Sequence, residues 1–288
     1  MTRPAGPQGP VGLPSCVRHP DRPTGLSCTR CGRPACPECL RDASVGQQCV
    51  DCVRAGSQGV RRGTTVAGAA PTGRPVVVPA LMALNVALFV FTAWQARSIG
   101  SNERAALFRE WVLVPGLVDT DWWRPLTSGF LHYGPLHLAF NMVALWIIGR
   151  ELELVLGRGR FLAVYLVALL GGSASVLVFT GANTATAGAS GAVFGLMGGY
   201  FVVARRLRVP TGQVVTLIAI NLAIGFIPGS SLSVAGHVGG LVVGALATAA
   251  LVHAPPVRHR TLLQVGALAV LTIVVLAVIT LRAAAVSA

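Results

Sequence analysis

The chain has no lysine: its 23 basic side chains are all arginine, set against 10 acidic ones. Charged residues make up 11% of it and hydrophobic ones 53%, with a mean hydropathy of +0.67. A soluble globular domain carries about 25% charge, so that class is excluded. Cysteine is absent after Cys52, which excludes any disulfide within the apolar part. The first thirty residues hold no apolar stretch that could serve as a signal peptide. The N-terminus is therefore expected to start and stay in the cytoplasm, where thiols remain reduced. A net charge of +13 is compatible with nucleic-acid binding. The arginines, however, sit in the N-terminal tail and between apolar runs. That placement fits orientation signals and contact with anionic headgroups, and no nucleic-acid partner is expected.

What is present falls into zones. Residues 1–15, rich in Pro and Gly, suggest a disordered tail. Residues 16–52 hold all the cysteines, and 53–75 form a basic flexible linker. Seven apolar runs follow, at 76–96, 134–149, 161–180, 187–204, 213–229, 232–252 and 262–281. Most approach the ~20 residues a spanning helix needs. The expected fold class is an all-α polytopic membrane protein: a six-helix core over 76–255, an additional C-terminal transmembrane helix over 256–288, and a small N-terminal zinc-binding module. Runs five and six are divided at Pro228-Gly229-Ser230-Ser231, two turn-formers followed by serines.

Arginine placement orients the chain. Arg150, Arg158 and Arg160 separate runs two and three; Arg205, Arg206 and Arg208 separate four and five; Arg258 and Arg260 separate six and seven. With the N-terminus inside, all three groups fall on the inside, as the positive-inside rule asks. The long segment 97–130, with Trp111, Trp122 and Trp123, is then outside and expected to lie in the interface.

On this orientation Ser190, near the start of run four, and His237, near the start of run six, share a depth near the outer face. Gly191, Gly195 and Gly199 repeat every four residues beside the serine, and Gly236, Gly240 and Gly244 beside the histidine. Such rows let membrane helices approach closely. Packed together, they would bring the hydroxyl to the imidazole, the minimum machinery for nucleophilic attack on an acyl group. No acid sits in a core helix near the pair, so a dyad is expected. The oxyanion would draw on the Ser190 N–H and on His137 and Asn141, an i, i+4 pair on run two. No cofactor is expected for catalysis.

These residues resemble the rhomboid intramembrane serine proteases over about 76–255. The motifs are Trp123-Arg124, His132, His137-Leu138-Ala139-Phe140-Asn141, Gly188-Ala189-Ser190-Gly191, and His237 with Gly240 and Gly244. The resemblance implies Ser190 as nucleophile and His237 as general base. It implies an oxyanion hole of His137, Asn141 and the Ser190 N–H, a first loop set by Trp123 and Arg124, and transmembrane proteins cleaved near the outer face. Many rhomboids place Tyr four residues after the serine; here Phe194 keeps the ring and loses the hydroxyl. Two other readings compete: a non-catalytic rhomboid-like chaperone or adaptor, which loss of Ser190 or His237 would favour, and a transporter, for which the expected intramembrane acids are lacking.

The cysteines come as knuckles: Cys16-x2-His19, Cys28-x2-Cys31, Cys36-x2-Cys39 and Cys49-x2-Cys52. Eight ligands suit two tetrahedral structural zinc ions, and an odd cysteine count in a reducing compartment argues against a disulfide scaffold. Spacing alone permits sequential or interleaved pairing. The pattern resembles a B-box-type zinc finger, though with Cys at both last positions. That resemblance implies interleaving, Cys16, His19, Cys36 and Cys39 against Cys28, Cys31, Cys49 and Cys52, and a module that binds a cytoplasmic protein partner.

Overall fold

A computed structural model describes residues 12–58, 60, 63–71, 73–226 and 232–287. The chain divides into two compact units, Met1–Arg62 and Gly63–Ala288. In the first, β1 (Ser15–Cys16) pairs antiparallel with β2 (His19–Pro23), and β3 (Leu40–Asp42) with β4 (Gln47–Cys49). The helix α1 (Val50–Ser57) follows directly. It starts at Cys49, whose sulfur accepts from the Cys52 N–H, and it runs into the stretch expected to be linker. Its few aliphatic side chains, far short of a core, leave this unit dependent on a cross-link or metal.

The second unit is helical. It contains α2 (Val77–Ala96), α3 (Ala106–Trp111), α4 (Arg124–Thr127), α5 (Gly134–Ala144), α6 (Arg150–Leu156), α7 (Arg158–Phe179), α8 (Ser190–Leu207), α9 (Gly212–Gly225), α10 (Val234–Val252) and α11 (Arg260–Ser287). A π turn, Leu145–Gly149, joins α5 to α6. Run two is therefore longer than its apolar stretch, and Arg150 lies within a helix. The sequence RELELVL is amphipathic and continues the helix, with Leu152, Glu153 and Leu156 buried. The connection to α7 is Gly157 alone, at φ 79°, a conformation that glycine takes without strain.

Among the described residues, α2, α7, α10 and α11 are long and apolar enough to cross a membrane. α8 is diluted by four glycines and a terminal Arg pair. α9, at 14 residues, reaches only about 21 Å against a hydrocarbon thickness of ~30 Å. The expected break at Pro228 to Ser231 lies outside the described residues.

The core packs Leu145, Leu152, Phe161, Val164, Leu196 and Leu251 together, all buried. At its centre α8 and α10 meet backbone to backbone. A Cβ on Gly240 would strike the Gly191 carbonyl, and one on Gly244 the Gly195 backbone. α7 joins them through Gly172, whose Cβ would lie 2.9 Å from the Gly236 carbonyl. α11 docks on α7: Val275, Ile279 and Ala283 pack with Val176 and Leu177, and with Leu113 and Val118 from the first loop.

Part of the expected linker is folded. Thr65 and Ala69 close a tight turn, with Ala69 N–H donating to Thr65 Oγ1 at 3.1 Å. Ala67 is buried, and its carbonyl accepts from Gln264 Nε2 at 2.9 Å. The flexible-linker expectation is thus corrected for 53–57 and 65–69. Pro, Gly and Arg content hid local hydrogen bonds there.

One acid holds the start of the bundle. Glu153, 0% exposed, accepts from the N–H groups of Val76, Val77 and Val78 at 2.7, 2.9 and 2.9 Å. These are the unpaired donors at the head of α2. Glu153→Ala should lower stability by about 3 kcal/mol or more, because each buried N–H left open costs ~1–3 kcal/mol. Glu153→Gln, keeping one acceptor, should fall between. Unfolding midpoints in detergent measure this; an unchanged midpoint in Glu153→Ala would contradict the capping role.

Candidate active site and metal-binding module

Ser190 is the first residue of α8 and His237 the fourth of α10. The glycine contact between these helices fixes the spacing of their first turns. Ser190 Oγ lies 3.0 Å from His237 Nε2. His237 is 2% exposed, and its Nδ1 has no protein partner among the described residues. Its ring is positioned by stacking: the Phe194 ring lies 4.1 Å away at 10°. The missing hydroxyl thus leaves the ring contact in place. If Nε2 accepts from the serine, the proton sits on Nδ1; that tautomer is assigned from geometry.

Gly188 has φ 137° and lies outside the helix, its N–H donating to the Ser128 carbonyl at 3.0 Å. A Cβ there would come within 2.9 Å of His137 Nε2 and 3.5 Å of Ser190 Oγ. Glycine therefore keeps open the space that both atoms face. His137 Nε2 is buried without a protein partner among the described residues, while its Nδ1 receives the Tyr133 N–H at 3.3 Å. Asn141 is buried, with its amide donating to the His137 carbonyl at 2.9 Å. One amide hydrogen is therefore engaged along α5. A cavity of about 30 Å³, the scale of one water, adjoins Ser190 and is lined also by Leu113, Ser128, Gly129, Leu169 and Gly236.

The first loop is built around Arg124. Its guanidinium donates to the carbonyls of Arg109 and Val112 at 2.8 Å each, and to Asp121 Oδ2 at 2.8 and 2.6 Å. Trp123 Nε1 donates to the Glu110 carbonyl at 3.2 Å. Leu113 and Thr186 exchange backbone hydrogen bonds of 3.0 and 2.8 Å, tying this loop to the approach of Ser190. Sequence reasoning missed Asn102. Its side chain donates to Thr92 and to the His132 carbonyl and accepts from the Gly134 N–H, fixing the entry of α5. An isolated Asn in a long loop carries no periodic signal. His132 is buried edge-on to His137, ring centroids 5.2 Å apart, with both nitrogens lacking protein partners among the described residues.

In the N-terminal unit the knuckles gather as two interleaved sets. Cys16, His19, Cys36 and Cys39 form one, and Cys28, Cys31, Cys49 and Cys52 the other, each with ligand atoms within 4.8 Å of one another. His19 Nδ1 lies 3.4 Å from the sulfurs of Cys36 and Cys39 and 3.9 Å from that of Cys16. Cys31 and Cys49 sulfurs are 3.8 Å apart. Tetrahedral zinc asks for sulfur separations of about 3.8 Å, so the donors fit. The Cys36 N–H holds the Cys16 thiol down to about 6, and the Cys49 N–H does the same for Cys28. Both favour the thiolate that a metal needs. All seven cysteines are free of disulfides.

The Rhomboid domain family model matches residues 119–254. The rhomboid protease GluP of Bacillus subtilis is 37% identical over 193 residues, 65% of this chain and 37% of that protein. YdcA of the same organism is 32% identical over 177 residues, 59% of this chain and 85% of its own length. The rhomboid protease GlpG of Yersinia pestis is 32% identical over 130 residues, 43% of this chain and 46% of that protein. The chain therefore spans less than half of GluP and GlpG and most of YdcA, and it belongs to the rhomboid family of integral membrane proteins.

Proposed function

We propose that the chain is an intramembrane serine endopeptidase that cleaves transmembrane helices of other proteins near the outer face. The observation that carries this reading is the 3.0 Å separation of Ser190 Oγ and His237 Nε2 at the starts of two helices in backbone contact. Support also comes from relatives that bear protease names.

Ser190 Oγ attacks the scissile carbonyl carbon and passes its proton to His237 Nε2. The carbonyl electron pair moves to oxygen. That charge falls toward the space left by Gly188, where His137 Nε2, the remaining Asn141 N–H and the Ser190 backbone N–H can donate. As the intermediate collapses, the C–N bond breaks and His237 returns the proton to the leaving amine. An acyl-serine remains. Water, deprotonated by His237, then releases it. No acid orients His237 among the described residues, so Phe194 acts as its positioning residue. Trp123 and Arg124 shape the interfacial loop, and Gly240 and Gly244 hold α10 against α8.

Ser190→Ala and His237→Ala should each abolish cleavage of a transmembrane substrate and labelling by a fluorophosphonate, because the pair acts as a unit. His137→Ala and Asn141→Ala should each cost on the order of 10²-fold. Turnover near wild type in either dyad variant would sink the assignment. A wild-type chain that neither cleaves nor takes the label would favour the non-catalytic chaperone or adaptor reading.

For the N-terminal module we propose two structural zinc ions held by the interleaved sets. Zinc would supply the cross-links that this small unit lacks, so its binding is also its folding. Cys36→Ala should reduce bound zinc from two ions toward none and expose the whole module to protease, while substrate cleavage persists. A variant that keeps one ion on Cys28, Cys31, Cys49 and Cys52 in a protease-resistant unit would show the sites to be independent.

The N-terminus is proposed to lie in the cytoplasm and the C-terminus outside, following from seven spans and the arginine groups. Reporter fusions at the two ends should give opposite signals. The same signal at both would mean that one apolar stretch does not cross.

A further inference from the structure

Three arginines converge at the end of the helical unit away from Ser190. Arg206 lies in the last turn of α8, about 24 Å along that helix from Ser190 at 1.5 Å per residue. Arg160 lies in the first turn of α7, and Arg260 opens α11. The charges of Arg160 and Arg206 both act on Arg260. Arg160 is anchored through Nε, which donates to Gln264 Oε1 at 2.9 Å. Gln264, 1% exposed, donates in turn to the carbonyls of Leu251 and Ala67. Arg260 donates to the Val66 carbonyl, and its Nε is buried without a protein partner among the described residues.

No carboxylate answers this group among the described residues. The ion pairs of the helical unit among those residues are Arg124–Asp121, in the first loop, and Arg150–Glu151. Glu153, at the same end of the bundle, is committed to the head of α2. Arg160 and Arg260 are held by a neutral amide and a neutral carbonyl, and Arg206 adds a third like charge, so an anion would be drawn in. The N-termini of α7 and α11 add positive dipole ends at the same level. The C-terminal dipole of α8 faces Arg206 but offsets only about half a charge. α7 and α11 are both long enough to span, so their ends sit at headgroup depth. There the available anion is a lipid phosphate, which guanidinium groups bind through paired hydrogen bonds.

We propose that Arg160, Arg206 and Arg260 form a binding site for the phosphate of an anionic lipid headgroup. The site is separate from the Ser190 cavity and joins α7, α8 and α11. The test uses the full chain in neutral detergent, with lipid binding counted by native mass spectrometry. The probes are phosphatidylglycerol, phosphatidylcholine and inorganic phosphate. Phosphatidylglycerol should bind at least ten-fold more tightly than phosphatidylcholine. Arg206→Gln, at an exposed position, should weaken it about five-fold, and Arg160→Gln with Arg206→Gln about 25-fold. Arg104→Gln, in the first loop, should leave it unchanged, and thermal midpoints check that each variant is folded. Three results would overturn the proposal: equal binding of the two lipids, unchanged affinity in a folded double variant, or inorganic phosphate displacing the lipid at equal concentration, which would mark a free-anion site.

Discussion

The structure depends on the backbone contact between α8 and α10. In a bilayer, apolar side chains gain little by meeting each other, because lipid tails are equally apolar. Association then rests on close packing, and the closest packing comes where no side chain intervenes. Gly191 against Gly240, and Gly195 against Gly244, leave no room for a Cβ. The same contact brings Ser190 and His237 together. Site geometry is thus a by-product of helix packing, and a distance of 3.0 Å is held by backbone instead of by flexible side chains.

Around that contact the polar groups are few and mostly saturated by backbone. Arg124 satisfies two loop carbonyls besides its aspartate, and Asn102 spans Thr92, His132 and Gly134. Four of the buried polar atoms that lack protein partners among the described residues lie beside the reacting atoms: both His132 nitrogens, His137 Nε2 and His237 Nδ1. Buried polar atoms left open in hydrocarbon are costly and mark functional positions.

Much of this was legible in the sequence, for physical reasons. Spans such as Val77–Ala96 follow from uninterrupted apolar length. The glycine rows announce α8 and α10 packing because period four leaves one face bare. The cysteine knuckles announce metal sites, and the structure gathers them in the interleaved sets. Other features were hidden. The first-loop helices, such as Ala106–Trp111, are too short for periodicity to register. Glu153 resembled a loop acid because its neighbours Arg150 and Glu151 are charged; its role depends on backbone donors 75 residues away. The turn at Thr65 to Ala69 carries Gly and Ala typical of linkers, and it is ordered by contacts from α11 that no local pattern encodes.

That separation between Glu153 and its donors has a consequence for synthesis. α2 emerges from the ribosome before α6, with three N–H groups at its head and no side-chain cap of its own. Their acceptor follows 75 residues later, a delay of about 4 to 15 s at ~5–20 residues per second. Until then the head of α2 must stay at a wet interface, where water can take those hydrogen bonds. Burial of Glu153 therefore coincides with the docking of α6 against α2. The carboxylate acts as a latch that lets the first helix wait in the membrane, aligned but not sealed, until its partner has been made.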